Sequence, residues 1–254
     1  ISKSKGSFYL VLKHEEQGGF DAEFRQLLLE SLDYYRLNEV MTRKYFSTMS
    51  GLIPWGPPLP DPSKASLMHQ REAARKLKRL VEQNGYSQEH PLEICINLHE
   101  IAVFERLLNF LGAHLRTMNI QLTQKDYNTS SSQKQPLDTR PENLCHLTLD
   151  GYGSRIKSED EIIQAFFPGG LFYPFLENKS ELHQKYTKMA KLADPKERAL
   201  LSSELGNYLI DKHYVRALFK ADLISLVNKQ RIINYAESKS YVMIPRTQHL
   251  KPSR

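Results

Sequence analysis

The sequence predicts an α/β fold, and three observations predict it. In Leu92-Glu93-Ile94-Cys95-Ile96-Asn97-Leu98 every second residue is apolar, the period of a strand. A helical repeat follows near Ala102–Thr117, with Val103, Leu107, Leu108, Leu111 and Leu115 inward, and then the short strand Ile120-Gln121-Leu122. Strand, helix, strand is a βαβ unit, which crosses over right-handed. Second, further amphipathic helices alternate with short β-prone runs along the whole chain. Third, Ala193-Asp194-Pro195-Lys196-Glu197-Arg198-Ala199-Leu200-Leu201 reads as a helix start. Asp194 caps it, Pro195 fits the first turn and Glu197 places a carboxylate near the positive end. Leu200, Leu201, Leu205, Tyr208 and Leu209 follow at helical spacing, and Tyr214–Phe219 is β-prone.

The remaining elements follow in order. Ser7–Lys13 is apolar and aromatic, a strand. Gly18-Gly19 breaks it, and Asp21 opens a helix with Phe24, Leu27, Leu28, Ser31 and Leu32 on one face. A short helix near Tyr35–Tyr45 comes next. Residues 51–64 are too rich in proline for a helix and form a loop. Ser66–Asn84 is an amphipathic helix, with Ala73, Leu77, Leu80 and Val81 inward, ended by Gly85. Residues 128–143 are a polar loop, Leu144–Leu149 a strand with Cys145, Leu147 and Leu149 on one face, and Asp150–Arg155 a turn. Ser158 and Glu161 make a capping box for the helix Glu159–Phe167, which Pro168-Gly169-Gly170 stops. Helices near Ser180–Leu192 and Pro195–Ile210 complete the pattern, without internal repeats.

Composition narrows the class of function. The chain has 254 residues, 40% of them apolar and 25% charged, as suits a globular protein. It has no apolar run of about 18 residues that could span a membrane. The opening Ile1–Gly6 and the short apolar run Phe8–Leu12 do not make a signal peptide, so the chain reads as an excised piece. The net charge of +6 is spread along helices and mixed with acids, a solvated surface rather than a nucleic-acid footprint. Two cysteines, Cys95 and Cys145, pair in an oxidising compartment if their strands are neighbours, or stay free thiols if not. No CxxC, GxSxG, HExxH or phosphate-binding loop is present, and the histidines lack ligand spacing. No catalytic residue, metal site or cofactor is assigned, and the chain is read as a non-enzyme.

Several segments, in this order, resemble the C-terminal half of an ABC-transporter extracytoplasmic solute-binding protein of family 5, the peptide/nickel class. They are the strand followed by Asp21, Phe24, Arg25 and Gln26-Leu27-Leu28; Leu32-Asp33; Ile53-Pro54 in a loop; Gly85-Tyr86 before a strand; and the Asp194-Pro195 helix with the strand from Tyr214. The resemblance implies a periplasmic-binding-protein-like type II fold, second lobe. Residues 1–254 are then a C-terminal solute-binding lobe with a return segment toward a first, N-terminal lobe. It also implies a peptide or other small solute held between the lobes, an ABC permease as partner, and a periplasmic or extracytoplasmic, membrane-associated location.

Ligands of open α/β sheets sit beyond the carboxyl ends of the strands. The ligand-binding candidates are therefore Asp150, Gly151, Tyr152 and Arg155, together with Tyr127. Where the family carries Gly-Trp and then an acid, this chain has Gly151-Tyr152 and then Arg155. That exchange argues against recognition of a peptide amino terminus and for an anionic ligand group. Asn97, His99 and Glu100 lie at a second strand end, and Trp55 lies in the proline-rich loop. Two other roles fit the same resemblance: the ligand-sensing half of a transcriptional regulator, or a degenerate lobe used for protein interaction.

Overall fold

In a computed structural model the structure describes residues 2–41, 46–49, 51–52, 64–98, 101–126, 144–152, 159–168, 170, 172–176, 180–225, 232–233 and 251–252. The first half of the chain supplies β1 (Ser2–Leu12), α1 (Ala22–Ser31), α2 (Tyr34–Met41), β2 (Phe46–Thr48), α3 (Lys64–Gln83), β3 (Leu92–Leu98), α4 (Ile101–Arg116) and β4 (Ile120–Asp126). The second half supplies β5 (Leu147–Tyr152), α5 (Glu159–Gln164), α6 (Ser180–Lys191), α7 (Pro195–Asp211) and β6 (Val215–Ser225). A separate two-residue pair, β7 (Ile232–Ile233) and β8 (Lys251–Pro252), follows.

The main sheet has six strands in the order β2-β6-β1-β5-β3-β4. β5, β3 and β4 run parallel, and β3 to β4 through α4 is the expected βαβ unit. β1 is antiparallel to both β5 and β6, and β2 is antiparallel to β6. Helices cover both faces. One core gathers Leu10, Leu12, Ile94, Ile96, Leu147 and Leu149 from the sheet beneath Leu28 of α1, Leu77 of α3 and Leu111 of α4. The other gathers Tyr9 and Val11 beneath Ile162 of α5, Leu182 of α6 and Leu209 of α7. A strand buried on both faces is apolar at consecutive positions, which is why Tyr9-Leu10-Val11-Leu12 reads as an unbroken run.

The helix ends follow the expected chemistry. Asp21 Oδ1 accepts the Phe24 amide at 2.7 Å, and Asp194 Oδ1 accepts the Lys196 amide at 2.8 Å. Past the end of α3, Gly85 takes a φ of 88°, and the Tyr86 amide donates to the Val81 carbonyl. This is a left-handed cap that favours glycine. Phe24, Leu27, Leu28, Ser31 and Leu32 are all buried, as are Ala73, Leu77, Val81, Leu107, Leu111 and Leu115.

Several expectations are corrected. Leu200 is 66% exposed: it lies about 140° around α7 from Leu205, outside the buried stripe. α2 covers Tyr34–Met41 of the short helix expected near Tyr35–Tyr45, whose remaining residues 42–45 lie outside the described residues, and Phe46–Thr48 is a strand paired to β6, too short for its alternation to be visible in the sequence. β4 and β6 run on through polar residues, because ladder pairing carries them beyond their apolar parts. Asp150, Gly151 and Tyr152 continue β5 instead of turning, since the ladder with β1 reaches Ser7. Leu147 and Leu149 share a core face, whereas Cys145 lies ahead of the strand and bonds to Cys95 of β3. The Ser158 capping box lies outside the described residues.

Two outcomes test this packing. Leu77→Ala, in the fully buried stripe of α3, lowers unfolding free energy by about 2–5 kcal/mol in denaturant melts, while Leu200→Ala changes it by under about 0.5 kcal/mol. The disulfide closes a loop with a sequence separation of 50. Replacing both cysteines by alanine costs about 2–4 kcal/mol, and reductant then has no further effect on the melt.

Candidate functional site at the carboxyl ends of the parallel strands

β3, β4 and β5 point their carboxyl ends to the same edge of the sheet. At that edge Asn97 of β3 stands in register with Thr148 of β5 on one side and Lys125 of β4 on the other. Further along β5, Asp150 is opposite Tyr9, Gly151 opposite Phe8 and Tyr152 opposite Ser7. The chain thus brings Asp150, Gly151 and Tyr152 into one ladder rung by rung, next to the strand that carries Asn97. Tyr127, Arg155, His99, Glu100 and Trp55 lie outside the described residues.

β1 and β6 stay paired from Val11↔Val215 out to Ser2↔Ser225; among the described residues, β5 pairs with β1 as far as Ser7 and β2 with β6 as far as Ala221. The paired Ser2–Lys5 and Asp222–Ser225 run on at the edge to which β3 and β5 point.

The strand face opposite the first core carries Asn97, Thr148 and Ser7 and is not solvated near its end. Asn97 and Ser7 are fully buried and Thr148 nearly so. Among the described residues, neither Nδ2 nor Oδ1 of Asn97 has a hydrogen-bond partner, nor does Ser7 Oγ. Unpaired buried polar groups of this kind are rare in folded proteins and mark places that call for an explanation. Sequence reading put Asn97 at a strand end but gave it no role. It passed over Ser7, whose one signal was its position two residues before Tyr9 on the same side of β1.

A polar seam holds the other end of this ladder. Lys13, buried at the end of β1, donates from Nζ to the Leu144 carbonyl at 3.1 Å. The Cys95 amide donates to His146 Nδ1 at 3.1 Å, and Phe20 stacks on the His146 ring with centroids 5.2 Å apart. Burial and then the nearby Lys13 charge push the His146 pKa below the ordinary histidine value. Among the described residues, no group of three or more His, Cys, Asp or Glu is placed to hold a metal ion. No helix among them is long and apolar enough to cross a membrane.

No protein-family model matches the chain, and no curated protein matches it. Solved structures do. OppA of Burkholderia pseudomallei superposes with a TM-score of 0.68 at 17% identity, over 92% of this chain and 46% of that one. NikA of Staphylococcus aureus, in complex with Ni(L-His)2, gives 0.65 at 16% identity, over 92% of this chain and 50% of that one. The murein tripeptide binding protein MppA of Escherichia coli gives 0.63 at 13% identity, over 92% and 45%. The chain has the α/β, periplasmic-binding-protein-like type II fold of these solute-binding proteins. It spans about half the length of each.

The seam makes stability depend on pH. Neutral His146 accepts the Cys95 amide at Nδ1, and protonation converts that acceptor into a donor. The folded pKa lies below the unfolded value, so the unfolded chain binds the proton first. Stability is complete above the unfolded value of 6.5 and falls as pH drops through it toward the folded value. Burial lowers His114 and His213 in the same direction. Denaturation midpoints measured from pH 8 down to 5 therefore fall, and His146→Gln flattens part of that slope.

Proposed function

We propose that residues 1–254 are the C-terminal lobe of the solute-binding component of an ABC importer. A peptide or other small solute is held between this lobe and an N-terminal lobe. Closure of the two lobes over the solute presents the pair to an ABC permease. The lobe is a non-enzyme without cofactor, binds no nucleic acid, and works in the periplasm or at another extracytoplasmic membrane surface.

The observation that carries this reading is the coincidence at one sheet edge. The carboxyl ends of β3 and β5, the segment Asp150–Tyr152, the buried polar Asn97 and Ser7, and the β1–β6 pair that runs on past Ser7 all meet there. A strand pair that runs on beside that edge is consistent with a second lobe across from it and a cleft between the two. The fold shared with OppA, NikA and MppA supports the same role. The Cys95–Cys145 disulfide supports an oxidising compartment. Asp150, Gly151, Tyr152, Arg155 and Tyr127 are the proposed ligand contacts from this side, with Arg155 matched to an anionic group on the solute.

The test is a thermal-shift panel of short peptides, small anions and metal chelates on the full-length protein. A solute stabilises it, and Arg155→Ala removes most of the shift for anionic solutes. The isolated 254-residue chain binds the same solute weaker than micromolar by calorimetry, because half a cleft buries too little of a ligand. A folded full-length protein that no solute in the panel stabilises overturns the reading.

A further inference from the structure

We infer that the lobe carries a second binding site, for a small organic anion with a phosphate or carboxylate head, in the cavity between α2, α3 and α4. Arg36, Arg71 and His114 hold the head. The inference does not depend on the solute-binding reading above and concerns the other end of the sheet.

The first step is geometry. The cavity holds about 360 Å³, the size of a small-molecule site. Arg36 reaches it from the first turn of α2, Arg71 from α3 and His114 from the last turn of α4. α4 leaves the carboxyl end of β3 and returns to the amino end of β4, so its last turn stands at the amino ends of the parallel strands. A strand length, about 20 Å, therefore separates the cavity from the segment Asp150–Tyr152.

The second step is charge. Arg36 and Arg71 are exposed, and among the described residues neither is in an ion pair. The one carboxylate among the lining residues, Asp33, is tied to the start of α2, where its Oδ1 accepts the Arg36 amide at 2.9 Å. Two cations thus face the cavity against one carboxylate, and they repel each other until an anion enters. His114 adds a donor. Its Nε2 is buried and, among the described residues, makes no hydrogen bond of ordinary geometry. The Ser31 carbonyl beside it already accepts from Gln70 Nε2 at 3.2 Å. As the neutral Nε2–H tautomer, His114 donates to an anion without changing its own charge.

The third step is chemistry. A guanidinium presents a planar fork of donors that matches the oxygens of a carboxylate or phosphate. Two such forks and an imidazole N–H together suit an anionic head and repel a cation. Much of the remaining lining is apolar, with Leu67, Ala74 and Phe110 half-buried. Ala74 and Phe110 pack against the first core, and the Phe110 ring lies parallel to His114 with centroids 6.3 Å apart, which steadies the imidazole. An inorganic ion would leave this apolar surface unused. An anion with a compact apolar body uses both parts of the cavity.

The experiment titrates phenyl phosphate into the full-length protein by calorimetry, with phenol as the neutral probe of the same shape. Arg155→Ala is the background, so that the anion contact proposed at the cleft does not contribute. Phenyl phosphate binds at one site. Arg36→Gln and Arg71→Gln each raise its Kd about tenfold, the effect of losing one charged hydrogen-bond partner, and the double variant removes binding. Phenol does not bind. Both arginines are exposed, so the variants melt within about 2 °C of the background protein. A folded protein that does not bind phenyl phosphate overturns the inference, as does a Kd that the double variant leaves unchanged. Phenol binding as tightly as phenyl phosphate overturns it too, since the charge then has no part. Co-sedimentation with phosphatidylcholine–phosphatidylglycerol vesicles that the double variant abolishes, without any binding of phenyl phosphate, gives the arginines to a lipid surface and also overturns it. A solute held in the cleft stabilises the double variant as it does wild type, so the two readings fail separately.

Discussion

The structure depends on β1 lying between two partners and two cores at once. Tyr9 and Val11 face one core, Leu10 and Leu12 the other, and all four are fully buried or nearly so. Such a strand is held strongly but placed weakly, because a shift by one residue exchanges one apolar set for another. Polar handles fix the register. The Tyr9 hydroxyl donates to the Leu52 carbonyl at 2.5 Å, and the Lys13 ammonium reaches the Leu144 carbonyl. A bulge between Phe8 and Tyr9 adjusts the ladder to β6. Each handle costs little by itself and excludes slipped pairings in which a buried hydroxyl or ammonium would go unpaired.

That register also sets what happens at the edge of the sheet. With Leu12 opposite Leu147, Ser7 must fall opposite Tyr152, and β1 runs on beyond it paired with β6. The disulfide works on the neighbouring strand, where Cys95 lies two residues before Asn97. β3 is thus held by a parallel partner on each side and by a covalent bond to the segment that leads into β5. Its end is therefore held from both sides and through a covalent bond at Cys95.

Most of the frame was legible in the sequence because it rests on periodicity and caps. The stripes of α3 and α4, the caps Asp21 and Asp194, and the stop at Gly85 are local chemistry, and the structure has them where the residues put them. The resemblance to the peptide/nickel solute-binding class likewise reappears as shared fold. What escaped is nonlocal. Nothing local tells Asp150-Gly151-Tyr152, a good turn sequence, that a partner strand will keep it extended. Nothing near Phe46–Thr48 announces a strand whose partner lies more than 170 residues away. The burial of Asn97 was invisible for the same reason. An asparagine at a strand end is ordinary until the fold buries it and withholds its partners.

The Cys95–Cys145 bond also changes what a break in the chain would mean. α4, β4 and the long polar stretch that follows them all lie inside the loop it closes. A protease that cuts once anywhere between residues 96 and 144 opens the backbone but releases nothing. The two pieces stay one molecule until a reductant arrives, and they run as a single band on a gel without it. A cut inside this loop is therefore one that the fold can survive with its strands still joined.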